Sequence, residues 1–338
     1  MSSPEMSFPE ANRHAVERAL EAAFGTTTLD AATSLTGGLS GARVFKIRVG
    51  GIAYLLRLEG QTDLFRDPSR WYGCMRTAAE VGLAPRVRYA CVEDGVAIMD
   101  FIAERSLRLE YAGSRTDMLT ELAQAVRALH TAPAFPRLVD YLDGMEALIG
   151  QFRASGLIEP AATAEHFARY TELAATYRRL RPEPVSSHND LNPRNVLYDG
   201  GRLWLIDWES SFLADRYVDL ATLANFFTAN KEEEAVLLRT YFGETLDAAR
   251  QARMFLMRQI NHVFYAMIFL NGAAAERPGV RLPDLAVPPM AELHRGLSTN
   301  EFTLNTWQGR VDYGRSRLNE ALANIKSPEF EAAVRLAA

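Results

Sequence analysis

Ser187-His188-Asn189-Asp190-Leu191-Asn192-Pro193-Arg194-Asn195-Val196-Leu197, and soon after it Leu205-Ile206-Asp207-Trp208-Glu209, set an Asp, an Asn and a second Asp around one hairpin. Asp199-Gly200-Gly201 lies between two apolar runs and predicts the tight turn that brings Asn195 and Asp207 face to face. Asp190 offers a carboxylate for the proton of an attacking hydroxyl. Asn195 and Asp207 offer an amide oxygen and a carboxylate of the kind that hold Mg²⁺ against phosphates. Asn, Asp and Pro also punctuate ordinary loops, but few loops need three metal-compatible oxygens at these offsets. The set predicts phosphoryl transfer.

The offsets repeat those of the kinase catalytic loop, H-R-D-x-x-x-x-N, with a metal-binding Asp on a strand soon after. His188 precedes Asp190 by two positions and Asn195 follows it by five. The chain has 338 residues, 48% of them hydrophobic, enough for one large domain or two lobes and too apolar for a disordered chain. Its net charge of −5 gives no basic surface for nucleic acid or an anionic membrane. Cys74 and Cys91 lack metal-ligand spacing and read as free thiols. No signal peptide is read at the N-terminus, and the apolar stretch 254–270 carries Arg258, Gln259, Asn261 and His262, so no membrane span is expected. A cytoplasmic protein is expected.

Along the chain, 10–24 reads as a short helix. Val44–Val49 and Ile52–Leu58 alternate about Gly50-Gly51 as a strand pair. A helix over 68–81 ends at Gly82, and strands follow over 86–92 and 96–102. The remainder is mostly helical, over 117–130, 141–152, 164–180, 218–229, 232–242 and 248–270. Residues 278–289, with four prolines, read as a loop, and 298–323 as a late helix that Gly309 and Gly314 interrupt. The predicted fold class is α+β. A β-rich nucleotide-binding lobe (1–102) and a helical catalytic and substrate lobe (103–338) would meet near Met99 to Ala103.

Gly37, Gly38 and Ser40 precede the first hairpin strand, where glycines let backbone N–H groups approach phosphate oxygens. Arg57 is a cation inside an apolar strand and must find an anion or reach solvent. The α- and β-phosphates of a nucleotide are the expected anion.

Gly37-Gly38-Leu39-Ser40, Leu55-Leu56-Arg57, Gly82-Leu83-Ala84-Pro85, His188-Asn189-Asp190, Asn195, Ile206-Asp207-Trp208-Glu209, Asp215 and Asp219-Leu220-Ala221 together resemble the aminoglycoside phosphotransferase and choline kinase superfamily. This is the small-molecule branch of the protein-kinase-like fold. His-Asn-Asp-Leu and Ile-Asp-Trp-Glu are most similar to the choline/ethanolamine kinase subgroup. The resemblance implies a two-lobed fold with ATP and Mg²⁺ as cofactors. It implies Asp190 as base, Asn195 and Asp207 as metal ligands, and Met99, Asp100, Phe101 and Ile102 as the hinge that meets adenine. His188 and Asp219 would support the loop.

Two departures stand out. The resemblance leads one to expect a helix Glu, about eleven residues before Gly82, paired with the strand cation; here Arg70-Trp71 occupies that place. Glu59, Asp67 or Glu80 would have to substitute, or Arg57 acts without that partner. Asn192 stands where protein kinases carry a lysine, which points to a small-molecule acceptor. A choline-kinase-like site implies an aromatic and acidic pocket for a cationic amine, with Trp208, Glu209, Phe226, Phe227, Tyr241, Tyr265 and Trp307 as candidates. Trp307 sits in the most polar context of these. An amino alcohol is the first expectation and an aminoglycoside or sugar the second. The competing class is a degenerate kinase fold that binds nucleotide or a partner without turnover.

Overall fold

Period-two alternation in Arg43–Val49 (β2) and Ile52–Leu58 (β3) buries Ile47, Val49, Tyr54, Leu56 and Leu58 on one face. Gly50 and Gly51, both at positive φ, close the turn between them. A computed structural model of the chain describes residues 8–35 and 41–337. In it these strands join Ala31–Leu35 (β1), Val87–Cys91 (β4) and Val96–Asp100 (β5) in an antiparallel sheet of order β1-β2-β3-β5-β4. Helix α1 (Arg13–Phe24) lays Ala15, Val16, Ala19 and Leu20 on the buried face. Helix α2 (Pro68–Glu80) starts where Asp67 accepts the Ser69 N–H, with Pro68 at its first position, and packs against β4. Gly37, Gly38 and Ser40 lie outside the described residues.

The chain continues through α3 (Leu107–Glu110), α4 (Arg115–His130), α5 (Tyr141–Ser155) and α6 (Pro160–Tyr177). Short strands β6 (Pro184–Ser187), β7 (Val196–Tyr198), β8 (Leu203–Leu205) and β9 (Phe212–Asp215) follow. Helices α7 (Tyr217–Phe227), α8 (Lys231–Phe242), α9 (Ala248–Glu276), α10 (Met290–Thr299), α11 (Trp307–Ile325) and α12 (Pro328–Ala337) complete it. The fold is α+β and two-lobed. Backbone packing forms two compact units. One runs to Arg137 and includes Val185–Leu213, which puts the 187–209 hairpin with the sheet; the other holds Leu138–Pro184 and the chain from Ala214 on. The expected boundary after residue 102 follows element type, whereas this partition follows packing.

In the second unit α9 is buried almost all round, against α5, α6, α7, α11 and α12. It extends to Glu276, past the end expected at 270. The loop read over 278–289 is followed by α10, and the late helix begins at Trp307 rather than 298. Among the described residues no helix is long and apolar enough to cross a membrane.

Candidate active site

The hairpin forms as the Asp-Gly-Gly turn demands. Asp199 Oδ1 accepts the N–H groups of Gly201 (2.8 Å) and Arg202 (2.9 Å), and Gly200 takes φ 100°, a conformation a side chain rarely adopts. Val196 then pairs with Leu205 and Tyr198 with Leu203. The Ile206 N–H donates to the Asn195 carbonyl (3.0 Å), so Asp207 follows directly on the residue facing Asn195. Two docking contacts fix the hairpin within its unit: Glu121 of α4 accepts the Leu203 N–H (2.8 Å), and the Leu83 carbonyl accepts the Leu205 N–H (2.8 Å). The Gly82-Leu83-Ala84-Pro85 segment is therefore a backbone clamp on the hairpin.

Three amides shape the loop before β7. Asn192 donates to Asp190 Oδ1 (2.9 Å) and Asn195 to Oδ2 (3.1 Å), so one amide orients each carboxylate oxygen. The second Asn195 amide hydrogen goes to the Asp190 carbonyl (2.8 Å). Asn189, at φ 64°, donates to the Ser210 carbonyl (2.9 Å). His188 is fully buried, and its Nε2 must carry the proton because it meets the Ile206 carbonyl at 2.9 Å. Asp207 takes φ 67°. Asn189 and Asp207 are thus two of the three non-glycine residues at positive φ among the described residues, and such costly backbone gathers where neighbours hold it in place.

The Arg57 guanidinium bonds Glu59 (3.0 Å), meets the Glu209 carboxylate, stands 3.9 Å from Asp207 Oδ1 and lies over the Trp71 ring at 4.9 Å. Glu59 also accepts the Tyr72 hydroxyl (3.0 Å). Burial pushes the Glu59 carboxyl above its ordinary range, against the pull of Arg57. Of the acids open for this role, Glu59 takes it; Asp67 caps α2 and Glu80 is exposed. Glu209, expected toward substrate, is the second partner. Arg70 holds the carbonyls of Phe65, Glu209 and Ser211, and burial draws its pKa down.

A profile described as the phosphotransferase enzyme family matches residues 31–256. The chain belongs to this family. LicA of Haemophilus influenzae (strain ATCC 51907 / DSM 11121 / KW20 / Rd) is 45% identical over 208 residues, 59% of this chain and 75% of that protein. Another Haemophilus influenzae LicA, 24% identical, is matched over 63% of its length, so the chain spans less than two thirds of one of these relatives and three quarters of the other. Among solved structures, a choline/ethanolamine kinase family protein from Mesorhizobium loti superimposes with a TM-score of 0.64 at 20% identity, covering 95% of this chain and 98% of that one. The streptomycin–ATP–APH(2")-IIa ternary complex gives 0.57 at 16%, covering 78% and 91%. The chain has the fold of small-molecule kinases.

The remaining residues of this phosphotransferase are distributed as follows. Met99 and Asp100 end β5, Phe101 and Ile102 follow without regular structure, and all four are half-buried. Asp100 is tied to Arg88 at 2.6 Å. Trp208 is 2% exposed and packs on His188 and Phe135, which makes it core. In the second unit, Trp307 is 8% exposed with its indole N–H on the Ala273 carbonyl (2.9 Å); the polar sequence around it gave the opposite expectation. Phe226 and Tyr265 face a cation of the chain itself. The fully buried Arg317 guanidinium sits 4.4 and 5.7 Å from their ring centres and 5.0 Å from Tyr313. Asp219 is fully buried on α7. Asp215 accepts from Arg253 and Tyr177, each at 3.2 Å. The carbonyl contacts of Arg70, the Asn192–Asp190 bond and the burial of Arg317 have no motif that marks them in the sequence.

Proposed function

We propose that this phosphotransferase uses ATP and Mg²⁺ to move the γ-phosphate to a hydroxyl of a small molecule, with Asp190 as base and Asn195 and Asp207 as metal ligands. The observation that carries the reading is the orientation of Asn195. Both of its amide hydrogens go to Asp190, which leaves Oδ1 without a protein partner among the described residues. That oxygen and the Asp207 carboxylate, 45% exposed, are hard donors of the type Mg²⁺ takes, so the residues present fit the ion. When bound, the metal would neutralise charge on the β- and γ-phosphate oxygens.

Asp190, aimed by two amides, is suited to accept the acceptor hydroxyl's proton as its oxygen attacks phosphorus. Arg57 is suited to meet phosphate oxygens, already fixed by Glu59 and Glu209. The backbone of Met99–Ile102 would bind adenine, and Gly37, Gly38 and Ser40 the phosphates. An amino alcohol is the acceptor we favour, supported by the choline/ethanolamine kinase relative; an aminoglycoside or sugar is second. The Phe226 and Tyr265 rings already hold Arg317, so an amine would need another acidic or aromatic surface. We take the cytoplasm as its compartment, where ATP and reduced thiols coexist; burial pushes the Cys74 thiol up to about 12.

An ATP-consumption screen over choline, ethanolamine, aminoglycosides and sugars tests this. Turnover with an amino alcohol is expected. Nucleotide binding with no phosphorylated product in any arm would favour the non-catalytic class.

A further inference from the structure

The Asp207–Ser211 turn is held from three sides. Asp207 opens it in a left-handed conformation that costs a non-glycine residue about 1–2 kcal/mol, so neighbours must supply the restraint. Asn189 takes the Ser210 carbonyl. Glu209 sends its carboxylate to Arg57. Arg70, from the first turns of α2, takes the carbonyls of Glu209 and Ser211 and, on the other side, that of Phe65. No carboxylate forms an ion pair with Arg70 among the described residues. Burial makes its charged form costly, and three main-chain oxygens, with the charge of nearby Asp67, offset that cost. A surface cation would not be kept this way. Only the fork of a guanidinium reaches three carbonyls in different directions at once; a lysine ammonium offers a single point of charge.

We propose that Arg70 is a positioning residue for the metal side of the site. By fixing Glu209 and Ser211 it holds the backbone that presents the Asp207 carboxylate, and it ties that turn to α2. The proposal rests on the metal-ligand reading of Asn195 and Asp207. It assigns Arg70 no contact with substrate or nucleotide.

The test is binding without turnover. Mn²⁺, used as the probe ion, is titrated by electron paramagnetic resonance into full-length enzyme saturated with ADP, and metal-free ADP affinity is measured separately by calorimetry. Arg70→Gln and the charge-conserving Arg70→Lys should each weaken Mn²⁺ by about 10- to 100-fold, the usual effect of losing a partner behind a metal ligand. Metal-free ADP affinity should stay within about threefold. Mn²⁺ affinity unchanged in Arg70→Lys would overturn the proposal. So would equal losses of Mn²⁺ and metal-free ADP accompanied by a lower Tm in both variants, since that is the signature of a merely structural arginine. Asp207→Asn in the same titration separates the two levels. If it retains Mn²⁺, the metal-ligand reading fails, and the proposal fails with it. If it loses Mn²⁺ while the Arg70 variants do not, only the Arg70 inference fails.

Discussion

Asp190 is a carboxylate whose two oxygens are each met by a neighbouring amide, at 2.9 Å from Asn192 and 3.1 Å from Asn195. Removing its side chain should take away the positioned base and one of the two Asn195 amide contacts, while the Asp190 carbonyl still holds Asn195. Asp190→Ala is expected to lower kcat by about 10²- to 10⁴-fold, with ADP affinity within a few-fold of the parent. Steady-state turnover and calorimetry check this together, and near-normal kcat would assign the base elsewhere. That Asp190, Asn195 and Asp207 come together around one hairpin was legible because the placement is set by offsets a few residues long. Arg70 was not. Its partners are main-chain carbonyls 139 and 141 residues away, and a carbonyl leaves no mark in the sequence. Glu209 was singled out for the substrate side, and its ion pair with Arg57 appears only when the turn is folded.

Strands and turns follow from local rules. Alternation marked β2 and β3, and Asp199-Gly200-Gly201 marked the hairpin; β1, short and largely exposed, carried no such signal. The late helix shows where those rules fail. Gly309 and Gly314 read as interruptions, yet both lie inside α11. A Cβ on Gly314 would stand 2.7 Å from Leu270 Cγ and 3.3 Å from the Ala266 carbonyl, so this glycine is where α11 closes onto α9. Helix propensity argues for alanine there, by about 1 kcal/mol. Overpacking argues against it, by about 1–3 kcal/mol, and α9 cannot withdraw because it is packed on four further helices, α5, α6, α7 and α12. Gly314→Ala should therefore be destabilising, with a lower midpoint in chemical denaturation. An unchanged or raised midpoint would show that Leu270 can move aside.

Net charge is −5 over the whole chain, but the second unit keeps its buried charges in a different balance. Arg317 is fully buried, donates to His262 Nδ1 (3.1 Å) and to the Tyr313 hydroxyl (2.7 Å), and Tyr313 meets His294 at 3.3 Å. Both imidazoles are consequently held neutral. Burial first, then Arg317, lowers His294 from 6.5 to about 4, and burial with Arg317, Arg258 and His294 lowers His262 well below 6.5. A depressed folded-state pKa means that the unfolded chain binds the proton first as pH falls. The stability from these histidines is complete above 6.5 and is lost as pH falls toward the folded value, about 4 for His294. From about pH 7 to about pH 5, His294 alone should account for roughly 1–2 kcal/mol of lost stability. Asp215 and Glu59, whose carboxyls burial raises, act in the opposite sense, since the folded state then holds the proton more tightly. The comparison must therefore be made between variants, where the carboxyl contributions cancel. Unfolding free energy measured across that range should fall less steeply in His294→Gln than in the parent chain. Parallel slopes would mean that this imidazole is already open to protonation in the folded state, and that Arg317 and Tyr313 do not hold it as the packing of α9, α10 and α11 implies.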